Sequence, residues 1–276
     1  MKQWNLVQKH ATQILSDGMQ ELLRQPYKKL DSIVSPVSGN YLISLDKQGV
    51  YVGESLDIAH RLEQQSKLKT STFYKNYLKQ AGKASNPITD FKVQTIHTKL
   101  GRKELEEFCI VNIPTPLNKF QLDKKIKVVL EDMGTWNDIQ DNSSVIIETG
   151  MQEVLSSPQQ KWDFTHVPNE GGIYLIYYNN ELIYIGETSC ISERIKTHSG
   201  QTYFSAFRRN CGTILLNFTL KEKNGKKRYF TEEEDSQIDS FLKQCTIVPF
   251  PVSIGRGELE ERLIKEFSPL LNKKGV

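Results

Sequence analysis

Residues 171–198 read GGIYLIYYNNELIYIGETSCISERIKTH. Two runs rich in β-formers, Ile173 to Tyr178 and Leu182 to Ile185, flank Asn179-Asn180. Asparagine tolerates positive φ, so the spacing predicts a hairpin with this pair at its tip. After Glu187-Thr188-Ser189 the pattern turns helical, with Ile191, Arg194, Ile195 and His198 as its markers. Arg194 and His198 are four residues apart and therefore share one face of that helix. One sheet edge and one helix bring Tyr174, Tyr184, Arg194 and His198 towards a common place. Two phenols, a fixed cation and an imidazole form a cluster suited to handling a phosphodiester.

Working outward, the same signals recur earlier in the chain. Gly39-Asn40-Tyr41-Leu42-Ile43 corresponds to Gly172-Ile173-Tyr174-Leu175-Ile176 at an offset of 133. Tyr51-Val52-Gly53-Glu54 matches Tyr184-Ile185-Gly186-Glu187, and Arg61 matches Arg194, at that same offset. Gly101-Arg102-Lys103-Glu104-Leu105-Glu106 matches Gly255-Arg256-Gly257-Glu258-Leu259-Glu260, and Asn118 matches Asn272, with the offset now 154. The repeat thus spans roughly residues 17–119 and 149–273, with the expected domains at 1–119 and 149–276 and a connector, 120–148, that carries a strand or helix of its own. The change of offset places an insertion of 21 residues in the second copy, within 221–244. It opens with Lys221, Lys223, Lys226, Lys227 and Arg228 around Asn224-Gly225, which reads as a basic hairpin tip or a solvated loop. An acidic helical stretch, Glu232 to Lys243, follows it.

GIY at Gly172-Tyr174, YIG at Tyr184-Gly186, Arg194, Glu260 and Asn272 occur in the order and spacing that resemble the GIY-YIG nuclease family. The resemblance implies an α+β fold in each copy, a small antiparallel sheet of about three strands flanked by helices, and the tandem repeat is expected to arrange the two copies as a pseudo-dimer. It implies that Arg194 steadies a phosphate, Tyr174 takes part in activating water, Tyr184 orients nucleophile or phosphate, and Asn272 braces the site. His198 either accepts the proton or holds Tyr174 in place. Glu260 is the expected ligand of one hard cation, Mg²⁺ or Mn²⁺. The first copy offers Tyr41, Tyr51, Arg61, Glu106 as metal ligand, and Asn118. It departs from the pattern in having Asn40 at the centre of GIY, expected to matter little, and Gln65 in register with His198.

Leu259, Leu263, Ile264 and Phe267, like Leu105, Cys109, Ile110 and Ile113, repeat at helical spacing and read as buried stripes. Before the first copy, Leu6, Ala11, Ile14 and Leu15 suggest an amphipathic helix. His10, His60, His97 and His166 have no partner pattern. Composition is that of an ordinary globular chain: 276 residues, 38% hydrophobic and 25% charged, with a net charge of +3. Bulk basicity is therefore excluded as the basis of nucleic-acid binding, which local clusters must supply. Four scattered cysteines give neither a zinc pattern nor a disulfide framework. No apolar run approaches the ~18 residues of a membrane span, and the expectation is a soluble cytoplasmic monomer. The expected activity is metal-dependent double-strand DNA cleavage of the restriction type. The alternatives are a nickase or structure-specific repair nuclease that cuts with the second copy alone, and a DNA-binding module without catalysis.

Overall fold

The computed structural model describes residues 3–32, 36–82, 86–118, 128, 130–162, 167–200, 202–223 and 225–272, without the side chains of Lys223 and Lys227. The chain forms two compact units, Met1–Ile146 and Ile147–Val276.

The first unit opens with α1 (Trp4–Lys9) and α2 (Ala11–Arg24). Trp4, Val7, Ala11, Ile14 and Leu15 are buried, whereas Leu6, expected in this stripe, is exposed because α1 and α2 are separate helices with separate faces. After β1 (Lys28–Lys29), the hairpin strands β2 (Gly39–Leu45) and β3 (Gln48–Ser55) turn at Asp46 and Lys47, both with positive φ. The short helix α3 (Ile58–Ser66) is capped by Asp57, whose carboxylate accepts from His60 N. Ser71 caps α4 (Thr72–Ala81) in the same way. β4 (Lys92–His97) returns to the sheet and α5 (Arg102–Asn112) follows it. The strand order is β1-β4-β2-β3, antiparallel throughout, so the expected three strands gain a two-residue fourth at the edge.

Part of the stretch read as a connector belongs to this first unit. α6 (Thr135–Asp141) lies against α2, where Trp136 covers Gly18 so closely that a Cβ there would fall 2.4 Å from the indole. Asp17 is buried and accepts from Met133 N, Thr135 N and Thr135 Oγ1, which fixes the start of α6. Burial opposes ionisation of Asp17, but these hydrogen bonds outweigh it and its carboxyl lies below the ordinary range. Residues 119–127, with the apolar run from Ile126, lie outside the described residues apart from its end, as do His166 and the Asn224 turn residue.

The helix α7 (Ser143–Ser156) contains the boundary between the units and corresponds to α2. Each unit thus carries a 14-residue helix ahead of its sheet. In the second unit β5 (Gln160–Lys161), β6 (Gly172–Tyr178) and β7 (Glu181–Thr188) precede α8 (Ile191–Gly200) and the short α9 (Ala206–Asn210). Asn179 and Asn180 take φ of 50° and 63° at the hairpin tip, the type I′ geometry their identity predicts. The insertion folds as a hairpin, β8 (Lys221–Lys223) and β9 (Lys226–Tyr229), followed by α10 (Glu232–Leu242) with a Thr231/Glu234 capping box. β10 (Thr246–Pro251) completes a sheet ordered β5-β10-β6-β7, and α11 (Arg256–Phe267) lies over β7.

Helices α5 and α11 each begin after a glycine in the left-handed region, Gly101 at φ 88° and Gly255 at φ 93°. This accounts for the repeated Gly-Arg start of both segments. Leu105, Cys109, Leu259 and Leu263 are buried as expected, but Phe267 is 43% exposed at the end of its helix. All four cysteines are free thiols. Among the described residues no helix is long and apolar enough to cross a membrane.

Candidate active site

The two units build their sites with the same parts. In the second, Tyr174 on β6 lies opposite Gly186 on β7, and Ile176 opposite Tyr184. In the first, Tyr41 faces Gly53 and Ile43 faces Tyr51. The tyrosine rings of each pair are 6.1 Å apart in the second unit and 6.3 Å in the first. Each glycine is required by its partner: a Cβ on Gly186 or Gly53 would lie 2.3 Å from the facing phenol oxygen. Arg194 on α8 and Arg61 on α3 stand close enough to both phenols of their own unit for their charges to favour the phenolate forms.

The asparagines act as a one-residue strand. Asn272 Oδ1 accepts from Ile185 N at 2.8 Å and its Nδ2 donates to Ile185 O at 2.7 Å. Asn118 treats Val52 identically at 2.9 and 2.8 Å. β7 and β3 are edge strands, so each carboxamide satisfies peptide groups that the sheet leaves open. Asn272→Ala should cost roughly 1–3 kcal/mol by removing two hydrogen bonds and stranding partly buried peptide groups. Asn272→Asp, which keeps the acceptor and loses the donor, should recover part of this, as a urea-unfolding series would measure.

Glu260 accepts from Glu187 N at 3.1 Å, which sets its carboxylate at the end of β7 beside Tyr184. The helix that carries it is tied to the same strand by Arg256 Nε, which donates to Glu187 Oε2 at 3.0 Å. Arg102 and Glu54 make the equivalent bond at 2.5 Å in the first unit, where Glu106 lies beside Tyr51. These ion pairs, with both arginines buried, hold the helix start in the register that places the metal-ligand candidates. Among the described residues no group of three or more His, Cys, Asp or Glu forms a metal cage.

His198 is fully buried, with Nε2 2.7 Å from Tyr174 Oη and Nδ1 2.7 Å from Ser205 Oγ. In the tautomer whose Nδ1–H donates to Ser205, Nε2 accepts the phenol proton. Burial, then the charges of Arg194 and Arg208, hold His198 well below the usual histidine range, so the ring is neutral at pH 7. Burial pushes Tyr174 well above the ordinary tyrosine value, with Tyr184 adding to the effect, and Tyr41 rises for the same reasons. Above about pH 6.5 the His198 ring is neutral in both folded and unfolded chains. Below that, the unfolded chain binds a proton that the folded one refuses, so stability falls with pH by up to about 1.4 kcal/mol per unit. Wild type should therefore lose more stability than His198→Gln between pH 7 and 5, read as the change in urea midpoint.

Sequence reading misses three supports of this site. Ser205 caps α9 and accepts from Arg208 N at 3.0 Å while holding His198. Its counterpart is Ser71, which donates to Gln65 Oε1 at 3.2 Å. The offset there is 134, one more than that of the tyrosines and arginine, so a fixed register pairs the wrong residues. Arg208, also buried, donates to His198 O at 3.2 Å and to Asp239 and Asp235 at 2.5 and 3.0 Å. The insertion thus supports the site through α10 as well as presenting a basic hairpin.

Asn40 is likewise not idle. It is buried, donates to Arg102 O at 2.8 Å and accepts from Thr98 Oγ1 at 2.8 Å, tying β2 to the start of α5. The first unit is less completely bonded at its phenol: among the described residues Tyr41 Oη and Gln65 Nε2 are buried without a hydrogen-bond partner. Of the basic candidates, Lys221 pairs with Glu234 at 2.9 Å, Lys226 donates to Tyr203 Oη at 2.9 Å, and Arg228 lies 5.5 Å over the Tyr203 ring. The side chains of Lys223 and Lys227 lie outside the described residues. His60 is on the surface against Gln64 and joins no site.

No curated protein matches the chain. Among solved structures it is similar to the GIY-YIG N-terminal endonuclease domain of UvrC from Thermotoga maritima bound to its catalytic divalent cation, magnesium. That likeness has 17% identity over 40% of this chain and 90% of the other, with a TM-score of 0.24. A point mutant of the same domain, bound to its catalytic divalent cation, gives 18% identity over 40% and 91%, with a TM-score of 0.23. Residues 158–275, which run from just before β5 to beyond Asn272, match the family model of the GIY-YIG catalytic domain.

Proposed function

We propose that the chain is a metal-dependent endonuclease that hydrolyses phosphodiester bonds of double-stranded DNA, with one reaction centre in each unit and both strands cut at a short, roughly palindromic site. The observation that carries this is the recurrence of the full set at one geometry: Tyr174, Tyr184, Arg194, Glu260 and Asn272, and Tyr41, Tyr51, Arg61, Glu106 and Asn118. A duplicate kept only as scaffold has no need for the arginine between two phenols or the carboxylate beside them. Two centres in one polypeptide suit the two antiparallel strands of a duplex, as a pseudo-dimer that works as a monomer.

The donor set fits a hard cation that keeps most of its waters: Mg²⁺, or Mn²⁺, would be held by Glu260 and by Glu106. Once bound, it supplies charge stabilisation to the phosphoryl and leaving oxygens. Arg194 binds the phosphate. Tyr174 is a neutral phenol, so it accepts a proton from the attacking water only as it passes its own to His198 Nε2. Tyr184 orients the nucleophile or phosphate, and Asn272 holds β7 rigid beneath it. Lys221, Lys223, Lys226, Lys227 and Arg228 neutralise phosphates from the inserted hairpin.

Supercoiled plasmid incubated with Mg²⁺ tests the reading. Discrete linear fragments support it. Nicked circles alone, from wild type and from Glu106→Ala alike, would leave one working centre. That second reading, a nickase or structure-specific nuclease that cuts with the second unit, draws on the unbonded Tyr41 and Gln65. Binding of DNA with no cleavage would leave only a DNA-binding module.

A further inference from the structure

Arg209 sits on α9 directly after the buried Arg208, yet it has a different kind of environment. Its Nη1 donates to Thr202 O at 2.9 Å and to Tyr203 O at 2.7 Å. Among the described residues no carboxylate pairs with it. Two carbonyls thus orient the guanidinium without neutralising it, and leave the rest of its fork of donors for another acceptor. The residue that anchors it also organises the inserted hairpin: the Tyr203 ring carries Arg228 at 5.5 Å and Lys226 at 5.6 Å. On the other side, Arg194 is near enough for its charge, with that of Arg228, to disfavour the protonated form of Arg209 beyond the effect of burial. Cations therefore run in sequence from the arginine of the reaction centre to the hairpin.

The first unit repeats the arrangement without the insertion. At the offset of 134 that relates Ser71 to Ser205, Lys75 takes the place of Arg209 and Lys69 that of Tyr203. Lys75 Nζ donates to Lys69 O at 2.6 Å. A cation held by the carbonyl of the same turn has thus been kept through a change of residue type, although neighbouring positions differ, as with Tyr74 for Arg208. Packing does not account for this, because Lys75 is exposed.

We infer that Arg209 is a second phosphate-holding cation of the second unit, gripping the backbone phosphate next to the one held by Arg194, and that Lys75 does the same in the first unit. The inference rests on the nuclease reading above and names how that site holds its substrate strand. A guanidinium already fixed by two carbonyls loses little side-chain freedom on contact, which suits it to set the strand's direction.

The test measures binding of a short DNA duplex across a salt series, in a Glu106→Gln/Glu260→Gln background that cuts through neither unit. Arg209→Gln should weaken binding about tenfold near 0.1 M salt and reduce the slope of log affinity against log salt by about 0.9, the loss of one phosphate contact. Arg209→Lys should keep the slope. In the cleaving protein Arg209→Gln should raise KM with kcat changed by less than about threefold. An unchanged salt slope, or a fall in kcat at constant KM, overturns the inference. A lowered melting temperature with unchanged slope assigns Arg209 to the turn alone and overturns it equally. If wild type cleaves DNA while the slope is unaffected, only this inference falls; if wild type neither binds nor cleaves DNA, the nuclease reading falls with it.

Discussion

Glu260→Ala should reduce metal-dependent cleavage by the second unit at least about 10³-fold if, as proposed, its carboxylate holds the cation. The geometry makes the effect specific. Glu260 is aligned by Glu187 N and stands beside Tyr184, at the strand end that Arg256 locks to α11. The next residue, Glu261, is exposed, and Glu261→Ala is the matching control with little expected change. The fold should be nearly unaffected, since Glu260 is only half-buried at the surface of its helix. The paired variant Glu106→Ala separates the two centres. If each unit cuts one strand, either single variant should convert plasmid to nicked circles, and the double variant should leave it supercoiled. Equal double-strand cutting by Glu106→Ala and wild type would mean that one centre works twice. Restored cleavage by Glu260→Ala at higher Mg²⁺ would measure weakened metal affinity, whereas loss that Mg²⁺ and Mn²⁺ both fail to rescue would place Glu260 in a second role as well.

The parts of the site governed by local rules are legible in the chain itself. Asn179-Asn180 specifies its turn because both residues tolerate positive φ, and the alternation of the two strands then places Tyr174 and Tyr184 on one face. Arg194 and His198 follow from helical spacing. The reading is firmer because the first unit builds the same turn with Asp46-Lys47, a pair with no strong signal of its own. What is not legible depends on contacts between elements far apart in the chain. Arg208 looks like one of two surface arginines until α10 folds over it with Asp235 and Asp239, 27 and 31 residues later. Asn40 looks like a harmless variation in a strand until the backbone of Arg102 arrives beside it, 62 residues on. Leu6 and Phe267 fit their apolar stripes by periodicity but are exposed, Leu6 because α1 and α2 are separate helices with separate faces and Phe267 because it is the last residue of α11.

The strongest structural test of the site falls on its smallest residue. Gly186→Ala should destabilise the second unit by roughly 1–3 kcal/mol and abolish most of its cleavage, the overpacking cost being concentrated on the side chain proposed to activate water. The added Cβ would meet Tyr174 at 2.3 Å from Oη and 2.4 Å from Cζ, contacts too short for any real pair. Tyr174 cannot swing aside cheaply. It is fully buried, bonded to His198 and packed against the Tyr184 ring. Relief requires moving the phenol off His198 Nε2, which breaks the proposed proton path, or opening the pairing of β6 with β7, which moves Tyr184 and Glu187 together. Gly53→Ala should do the same to the first unit, where the clash with Tyr41 has the same geometry. A double-mutant cycle with Tyr174→Leu identifies the cause. If the clash is the mechanism, Gly186→Ala should cost much less stability in the Tyr174→Leu background than in wild type, while cleavage by that unit stays absent in both. An equal cost in the two backgrounds would show that Gly186 is needed for its backbone alone, and that the aromatic-glycine pairing across this hairpin does not set the position of the phenol.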